Sequence, residues 1–218
     1  LNEVANDTPM HFQWYAELID KTFGKVSATD PSITSLIVKE PIGVVAGVVP
    51  WNFPLMMAIW KAAPALATGC SVLIKPAEDT PLSALRIAQI ASDAGIPDGV
   101  FNVLPGFGEV GEALGRHNDV DAVSFTGSTE VGGLFMKYSG ESNLKTIGLE
   151  MGGKSPFLVL EDAKINNTLI DNAINSAFWN GGQNCSANMR QIIHSKVKDE
   201  FLDKVLKRVV GLPIVTDK

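Results

Sequence analysis

Short apolar segments alternate with longer amphipathic segments through most of the chain after residue 42. The short segments are rich in valine, isoleucine and leucine, which predicts buried strands, and the longer ones have the spacing of helices. Strands are predicted at 43–49, 70–74, 100–104, 121–125, 144–149 and 157–160, and helices at 54–68, 80–94, 109–117, 128–139 and 165–180. Because short buried strands that alternate with helices form a parallel sheet covered on both faces, the pattern predicts an α/β fold.

The residues before this alternating region follow a different pattern. Residues 9–23 carry apolar side chains at helical spacing, which predicts a helix. Residues 24–41 are polar and rich in turn-forming residues, with one predicted strand at 35–39. This second segment is expected to form an extended arm or hairpin rather than part of the core.

Composition and charge exclude several classes of function. The chain has 218 residues, of which 45% are hydrophobic and 19% charged, so it can bury a sizeable core. Its formal net charge of −6 provides no positive field for nucleic acid or anionic lipid. The longest apolar segment, 54–69, is too short to cross a bilayer and contains Lys61 and Pro64. We therefore expect neither a nucleic-acid partner nor a membrane span.

The two cysteines lie far apart, which argues against a disulfide scaffold and for a reducing, cytoplasmic location. Cys70 starts a predicted buried strand and is expected to be a core residue. Cys185 follows a Gly-Gly turn among small and polar neighbours and is a candidate nucleophile, although in isolation an exposed cysteine without a role is the simpler interpretation. No histidine is near Cys185 in sequence, so a cysteine–histidine hydrolase is not supported. No metal site is expected.

Two glycine motifs compete for a phosphate-binding role. Gly106-Phe107-Gly108-Glu109-Val110-Gly111 has G-x-G-x-x-G spacing, but the acid expected at the end of the next strand is missing. Phe125-Thr126-Gly127-Ser128 also joins a strand to a helix, and Ser128 stands where its hydroxyl and N–H can both reach a phosphate oxygen. The second motif is preferred, while an ordinary strand–helix turn explains either motif taken alone.

A lysine and a glutamate follow the strand predicted at 70–74. In an open parallel sheet, ligands bind beyond the carboxyl ends of the strands, so Lys75 and Glu78 could hold the two hydroxyls of a ribose. From the segment alone, a solvated loop with a surface ion pair worth about 0–1 kcal/mol is the simpler interpretation.

Five motifs together resemble the aldehyde dehydrogenase superfamily in their order and approximate spacing. They are Pro50-Trp51-Asn52-Phe53-Pro54, Lys75-Pro76-Ala77-Glu78, Phe125-Thr126-Gly127-Ser128, Leu149-Glu150-Met151-Gly152-Gly153-Lys154 and Gly182-Gln183-Asn184-Cys185. The resemblance covers the whole chain and is nearest to betaine, aminoaldehyde and γ-glutamyl-aminobutyraldehyde dehydrogenases. The departures, Met151 where leucine is usual and Gly181-Gly182 before Gln183, leave the implied chemistry intact.

The resemblance implies a role for each matching residue. Cys185 resembles the nucleophile, Glu150 the general base that activates the deacylating water, and Asn52 an oxyanion donor beside the Cys185 backbone N–H. NAD is the implied cofactor, with NADP as the alternative; Lys75 and Glu78 would hold its adenosine ribose and Ser128 its pyrophosphate. The implied walls of the cofactor pocket are Val49, Pro50, Trp51, Gly108, Gly127, Met151 and Gly152. An aromatic box for the substrate would consist of Phe53, Trp60 and Trp179.

The resemblance also implies the domain organisation and the reaction. Residues 1–152 are expected to form a Rossmann-like NAD-binding domain interrupted by an oligomerisation arm at 24–41, and 153–218 the start of a second, catalytic α/β domain. The expected protein is a homo-oligomer, a dimer or tetramer, that oxidises an aldehyde to a carboxylic acid through a thiohemiacetal and a thioester. Family members extend beyond both ends of this chain, so the residues as given are expected not to turn over aldehyde. An inactive NAD-binding fragment is the alternative.

Overall fold

A boundary between Met151 and Gly152 divides the chain into two units. The computed structural model describes residues 2–28 and 30–212. The first unit, Leu1–Met151, contains an N-terminal helix and hairpin followed by a five-stranded sheet, and the second, Gly152–Lys218, contains a two-stranded sheet.

The N-terminal segment forms one helix and one hairpin. Helix α1 spans Asn2–Leu18 and continues as a 3₁₀ turn at Ile19–Lys21. It begins earlier than the helix predicted at 9–23 because Pro9 lies inside α1 rather than at its start. Strands β1 (Lys25–Ser27) and β2 (Ser35–Ile37) then pair antiparallel, so the polar, turn-rich segment is a hairpin.

The five-stranded sheet of the first unit is entirely parallel, with the order β5-β4-β3-β6-β7. Every strand and helix predicted after residue 42 is present, with bounds shifted by at most 2 residues, which confirms the α/β fold. The strands are β3 (Val44–Val48), β4 (Ser71–Lys75), β5 (Phe101–Val103), β6 (Ala122–Gly127) and β7 (Thr146–Met151), and the connecting helices are α2 (Pro54–Ala67), α3 (Leu82–Asp93), α4 (Gly108–Arg116) and α5 (Thr129–Gly140).

Two apolar clusters cover the opposite faces of this sheet. Successive side chains of a strand point to opposite faces, and in β4 Val72 and Ile74 belong to one cluster while Leu73 packs against the other. Helices α2 and α3 cover the first face and helices α4 and α5 the second. Cys70 is buried in the first cluster, as its surroundings in the sequence indicate.

A buried lysine crosses the central strand of the sheet. Lys61 is the one charged residue of α2, and it lies over Gly47 of β3, where an added Cβ would come 3.3 Å from the Lys61 side chain. Its Nζ donates hydrogen bonds to Ser124 Oγ at 3.1 Å and Thr126 Oγ1 at 2.8 Å, both on β6. Burial lowers the pKa of Lys61 to about 8, and the negative charge of Glu150 opposes that shift.

The second unit is a parallel β-α-β arrangement followed by a helix. It comprises β8 (Pro156–Val159), α6 (Asn167–Phe178), β9 (Arg190–Ile193) and α7 (Ser195–Val209), and β8 pairs with β9. The Asn166 side chain caps α6 by accepting a hydrogen bond from the Leu169 N–H at 2.9 Å. The sequence pattern does not predict β9, because its first two residues are polar and three of its four are exposed.

We predict that Lys61 makes the stability of the first unit depend on pH. Between pH 8 and the ordinary lysine value of 10.5, the folded chain releases this proton while the unfolded chain keeps it, so the free energy of unfolding rises with pH. Relative to Lys61→Met, the native chain should gain about 3 kcal/mol across this interval. Denaturant unfolding of both proteins from pH 7.5 to 10.5 measures the gain. Lys137→Met, at an exposed lysine in α5, is the control, and a constant difference between native and Lys61→Met would contradict the prediction.

Candidate active site

The carboxyl ends of β3, β4, β6 and β7 lie at one edge of the sheet because these strands are parallel neighbours. The chain leaves β3 toward β4 on one side, and β6 returns to pair with β3 on the other. Such a reversal of strand order opens a crevice beyond the carboxyl ends, where α/β proteins bind ligands. The sequence-predicted residues of the first unit lie at or just after the ends of these four strands, apart from Gly108 after β5 and Trp60 within α2.

Lys75 and Glu78 form an ion pair at the end of β4. Lys75 Nζ lies 3.4 Å from Glu78 Oε2; the lysine side chain is 7% exposed and the glutamate side chain 48% exposed. A hydrogen bond from the Glu78 backbone N–H lowers the pKa of the Glu78 carboxyl, and the Lys75 charge adds to the effect. The buried lysine therefore holds a carboxylate that remains exposed to solvent. This carboxylate can accept hydrogen bonds from a pair of hydroxyls.

The two glycine motifs each lead into a helix N-terminus at this edge. Ser128 is the N-cap of α5, and its Oγ accepts a hydrogen bond from the Val131 N–H at 3.2 Å, which leaves the hydroxyl hydrogen available to a ligand. Gly127 must lack a side chain because a Cβ there would come 2.5 Å from the Phe125 ring. Gly108 begins α4, whose N-cap residue supplies no side-chain hydrogen bond. Both helix starts could hold a phosphate.

The segment after β3 lies beside the Lys75 loop. The Val49 N–H donates to the Lys75 carbonyl oxygen at 3.1 Å, which ties the ends of β3 and β4 together. Val49 is buried and Pro50 half-buried, whereas the Trp51 side chain is 50% exposed. Asn52 is half-buried and lies just before α2, at the same edge.

Glu150 and Met151 are the last two residues of β7. Glu150 is exposed and pairs in register with Thr126, whose hydroxyl accepts the hydrogen bond from Lys61. A buried ammonium group therefore lies beneath the position of the carboxylate. The sequence analysis missed Lys61 as a site residue, although one charge in an otherwise apolar helix is a recognisable signal. The Met151 sulfur packs on α5, where a Cβ at Gly132 would come within 2.6 Å of it.

Cys185 lies in an exposed loop of the second unit. Helix α6 ends in a tight turn at Trp179–Gly182, where Asn180, Gly181 and Gly182 have positive φ angles of 53°, 66° and 75°.

The loop that contains Cys185 is organised by one oxygen atom, Asn184 Oδ1. It accepts hydrogen bonds from the Ser186 N–H at 3.1 Å and the Ser186 hydroxyl at 3.0 Å, and the Cys185 thiol lies 3.8 Å away. The thiol is thus free of core packing and accessible to a reagent.

The predicted aromatic residues differ in their exposure. Phe53 is buried in the cluster beneath α2, while Trp60 on α2 is 48% exposed and Trp179 in the second unit is 45% exposed. Gly152 stands at the start of the second unit, with open space where a side chain would be.

Among the residues that the structure describes, no group of three His, Cys, Asp or Glu side chains could hold a metal ion. None of the described helices is long and apolar enough to cross a membrane.

Comparison with known proteins identifies the family. The sequence profile of the aldehyde dehydrogenase family matches residues 2–217. The chain is 54% identical over 194 residues to an aminoacetaldehyde dehydrogenase of Pseudomonas aeruginosa, covering 88% of this chain and 39% of that protein. It is 49% identical over 191 residues to an NADP/NAD-dependent aldehyde dehydrogenase of Escherichia coli, covering 87% of this chain and 39% of that protein. The chain thus spans about two fifths of the length of these relatives.

Solved structures agree with the sequence comparisons. A γ-glutamyl-γ-aminobutyraldehyde dehydrogenase from Burkholderia cenocepacia has a TM-score of 0.89 at 49% identity, over 92% of this chain and 41% of that one. An indole-3-acetaldehyde dehydrogenase complexed with NAD+ has a TM-score of 0.92 at 48% identity, over 94% of this chain and 42% of that one. The chain therefore belongs to the aldehyde dehydrogenase family.

Proposed function

We propose that a protein carrying this chain oxidises an aldehyde to a carboxylic acid with NAD as cofactor. The observation that carries the proposal is the shared edge of the sheet, which gathers the Lys75–Glu78 pair, the Ser128 helix cap and Glu150. We assign the pair to accept hydrogen bonds from ribose hydroxyls, the helix cap to donate hydrogen bonds to phosphate, and Glu150 to act as the base. A dinucleotide-dependent oxidation of an aldehyde can use groups of these three kinds. Cys185 supplies an accessible thiol in the second unit.

The residues at this edge suit NAD. Glu78 offers an exposed carboxylate to the ribose hydroxyls, and the start of α5 offers N–H groups and the Ser128 hydroxyl to the pyrophosphate. The cofactor, when bound, supplies the hydride acceptor. The proposed walls of the pocket are Val49, Pro50, Trp51, Gly108, Gly127, Met151 and Gly152.

The proposed reaction begins with the Cys185 thiolate, whose sulfur forms a bond to the aldehyde carbon. The carbonyl electrons move to oxygen, and the oxyanion accepts hydrogen bonds from the Asn52 amide and the Cys185 backbone N–H. Loss of one such donor typically slows a reaction by about 10²–10³-fold. Loss of hydride from the adduct leaves a thioester on Cys185. Glu150 then takes a proton from the attacking water, the carbon–sulfur bond breaks, and Cys185 regains its thiolate as the acid leaves.

The hairpin of β1 and β2 supports a proposed homo-oligomer, a dimer or tetramer. Its strands expose Val26, Leu36 and Ile37, whose side chains are 72%, 62% and 55% accessible. Exposed apolar side chains on the strands of a hairpin indicate a surface that pairs with another copy. Both cysteines are free thiols, in keeping with the reducing, cytoplasmic compartment that we propose.

We predict that substitutions of Cys185 and Glu150 block different steps of the reaction. In an active enzyme that carries this chain, Cys185→Ala should abolish the pre-steady-state burst of NADH because no acylation takes place. Glu150→Gln should retain the burst and slow the steady state by about 10²–10⁴-fold because water lacks its base. Stopped-flow absorbance at 340 nm separates the two phases, with Cys70→Ala as the matched control. Normal turnover by Cys185→Ala would refute the nucleophile assignment.

We predict a modest preference for NAD over NADP. The Glu78 carboxylate repels a 2′-phosphate, while the nearby Lys75 ammonium offsets part of that repulsion. Glu78→Gln should lower the ratio of kcat/KM for NAD to that for NADP because the repulsion disappears. Steady-state kinetics with both cofactors measure the ratio, and a clear NADP preference in the native enzyme would contradict the assignment.

We propose that the substrate is an aminoaldehyde or a related nitrogen-containing aldehyde, in line with the names of two relatives. Trp60 and Trp179 keep about half of their surface exposed, and an aromatic face attracts a cation by about 0.5–2 kcal/mol. Trp179→Ala should therefore reduce kcat/KM more for a trimethylammonium aldehyde than for its neutral tert-butyl analogue of equal length. An equal loss for both compounds would remove the cation–π part of the proposal.

A further inference from the structure

A histidine from α1 stacks on Trp60 of α2. The centroids of the His11 and Trp60 rings lie 5.6 Å apart with 33° between their planes. Helices α1 and α2 pack against each other, and the His11 ring is half-buried while Trp60 remains 48% exposed. The pair therefore forms a partly open surface that combines an aromatic face with a polar ring.

One hydrogen bond fixes the tautomer of the neutral His11 ring. His11 Nδ1 lies 2.8 Å from the Asp7 carbonyl oxygen, one turn earlier in α1. A carbonyl oxygen can only accept, so Nδ1 must carry the hydrogen, and Nε2 of the neutral ring is then a hydrogen-bond acceptor. The fold thus presents an acceptor beside Trp60, which suits a ligand group that donates.

Helix α2 connects this acceptor with the proposed oxyanion donor, Asn52, which lies just before the helix. Met56 and Trp60 are one turn apart on α2, and Asn52 lies two residues before the start of this helix. None of these three residues is fully buried. The six-residue interval from Pro54, where α2 begins, to Trp60 corresponds to about 9 Å along the helix axis. A long aldehyde held by Asn52 at one end could therefore reach His11 with the other.

We propose that His11 is a specificity-determining residue that selects aldehydes carrying an N–H or O–H donor at the end far from the carbonyl. This inference rests on the proposed function and adds a substrate feature to it. Trp60 packs against the chain of the substrate, and His11 Nε2 accepts the hydrogen bond from its far end. The interaction recognises a donor, whether charged or neutral, and so differs from cation binding by the aromatic faces.

A pair of neutral probes isolates the donor. The first is 8-acetamidooctanal, a secondary amide with one N–H, and the second is its N-methyl amide, which lacks that hydrogen. The native enzyme should favour the secondary amide by up to about tenfold in kcat/KM, mainly through KM, the upper end of what one hydrogen bond contributes. His11→Phe keeps a flat ring against Trp60 and should abolish the preference. His11→Gln should retain part of it, because its amide oxygen can accept a hydrogen bond. The native enzyme and both variants should oxidise octanal equally.

A second variant in α1 controls for a general effect of substitutions in this helix. Gln13→Phe alters an exposed residue on another side of α1 and should leave both probes unaffected. An undiminished preference in His11→Phe, or an equal loss for the amides and octanal, would overturn the role of His11 while leaving aldehyde oxidation in place. If the native enzyme oxidised no aldehyde at all, the proposed function itself would fail.

Discussion

The parallel hydrogen-bond register between β3 and its neighbours β4 and β6, extended by β7, is the constraint on which the first unit depends. It pairs Val48 with Lys75 and with Phe125, and Thr126 with Glu150, so that residues far apart in sequence meet at one edge. A slip of one residue in any pair would turn every side chain of that strand to the other face. The residues that we propose for ribose binding, phosphate binding and proton removal would then no longer share that edge.

The same register explains why a charge is buried under the site. Lys61 reaches across Gly47 to the hydroxyls of Ser124 and Thr126 on β6. Thr126 pairs in register with Glu150. An ammonium group in this place costs stability at neutral pH because burial disfavours its charged form. Its position beneath a proposed catalytic carboxylate gives a reason for that cost, since it places a positive charge and a titratable proton close to the base.

Sequence reasoning predicted the sheet, its helices and the residues at its carboxyl edge, because apolar periodicity and short motifs are local properties. It missed β9, where Arg190 and Gln191 break the apolar pattern. It also missed Lys61 and His11, whose partners lie 63, 65 and 49 residues away and are brought close only by tertiary packing. The roles of Cys185 and Glu150 came from resemblance to a family; periodicity indicated only a loop and a strand end.

The central claim is that an accessible cysteine forms the acyl intermediate while the sheet edge holds the cofactor. The chain contains two cysteines, the buried Cys70 and the exposed Cys185, whose peptides can be compared directly. The most direct measurement is peptide-resolved mass spectrometry of active enzyme, quenched in acid during turnover with NAD and an aldehyde. The account predicts a thioester adduct with the mass of the acyl group on the Cys185 peptide, and none on the Cys70 peptide. Turnover without any adduct, or with the adduct on Cys70, would contradict it.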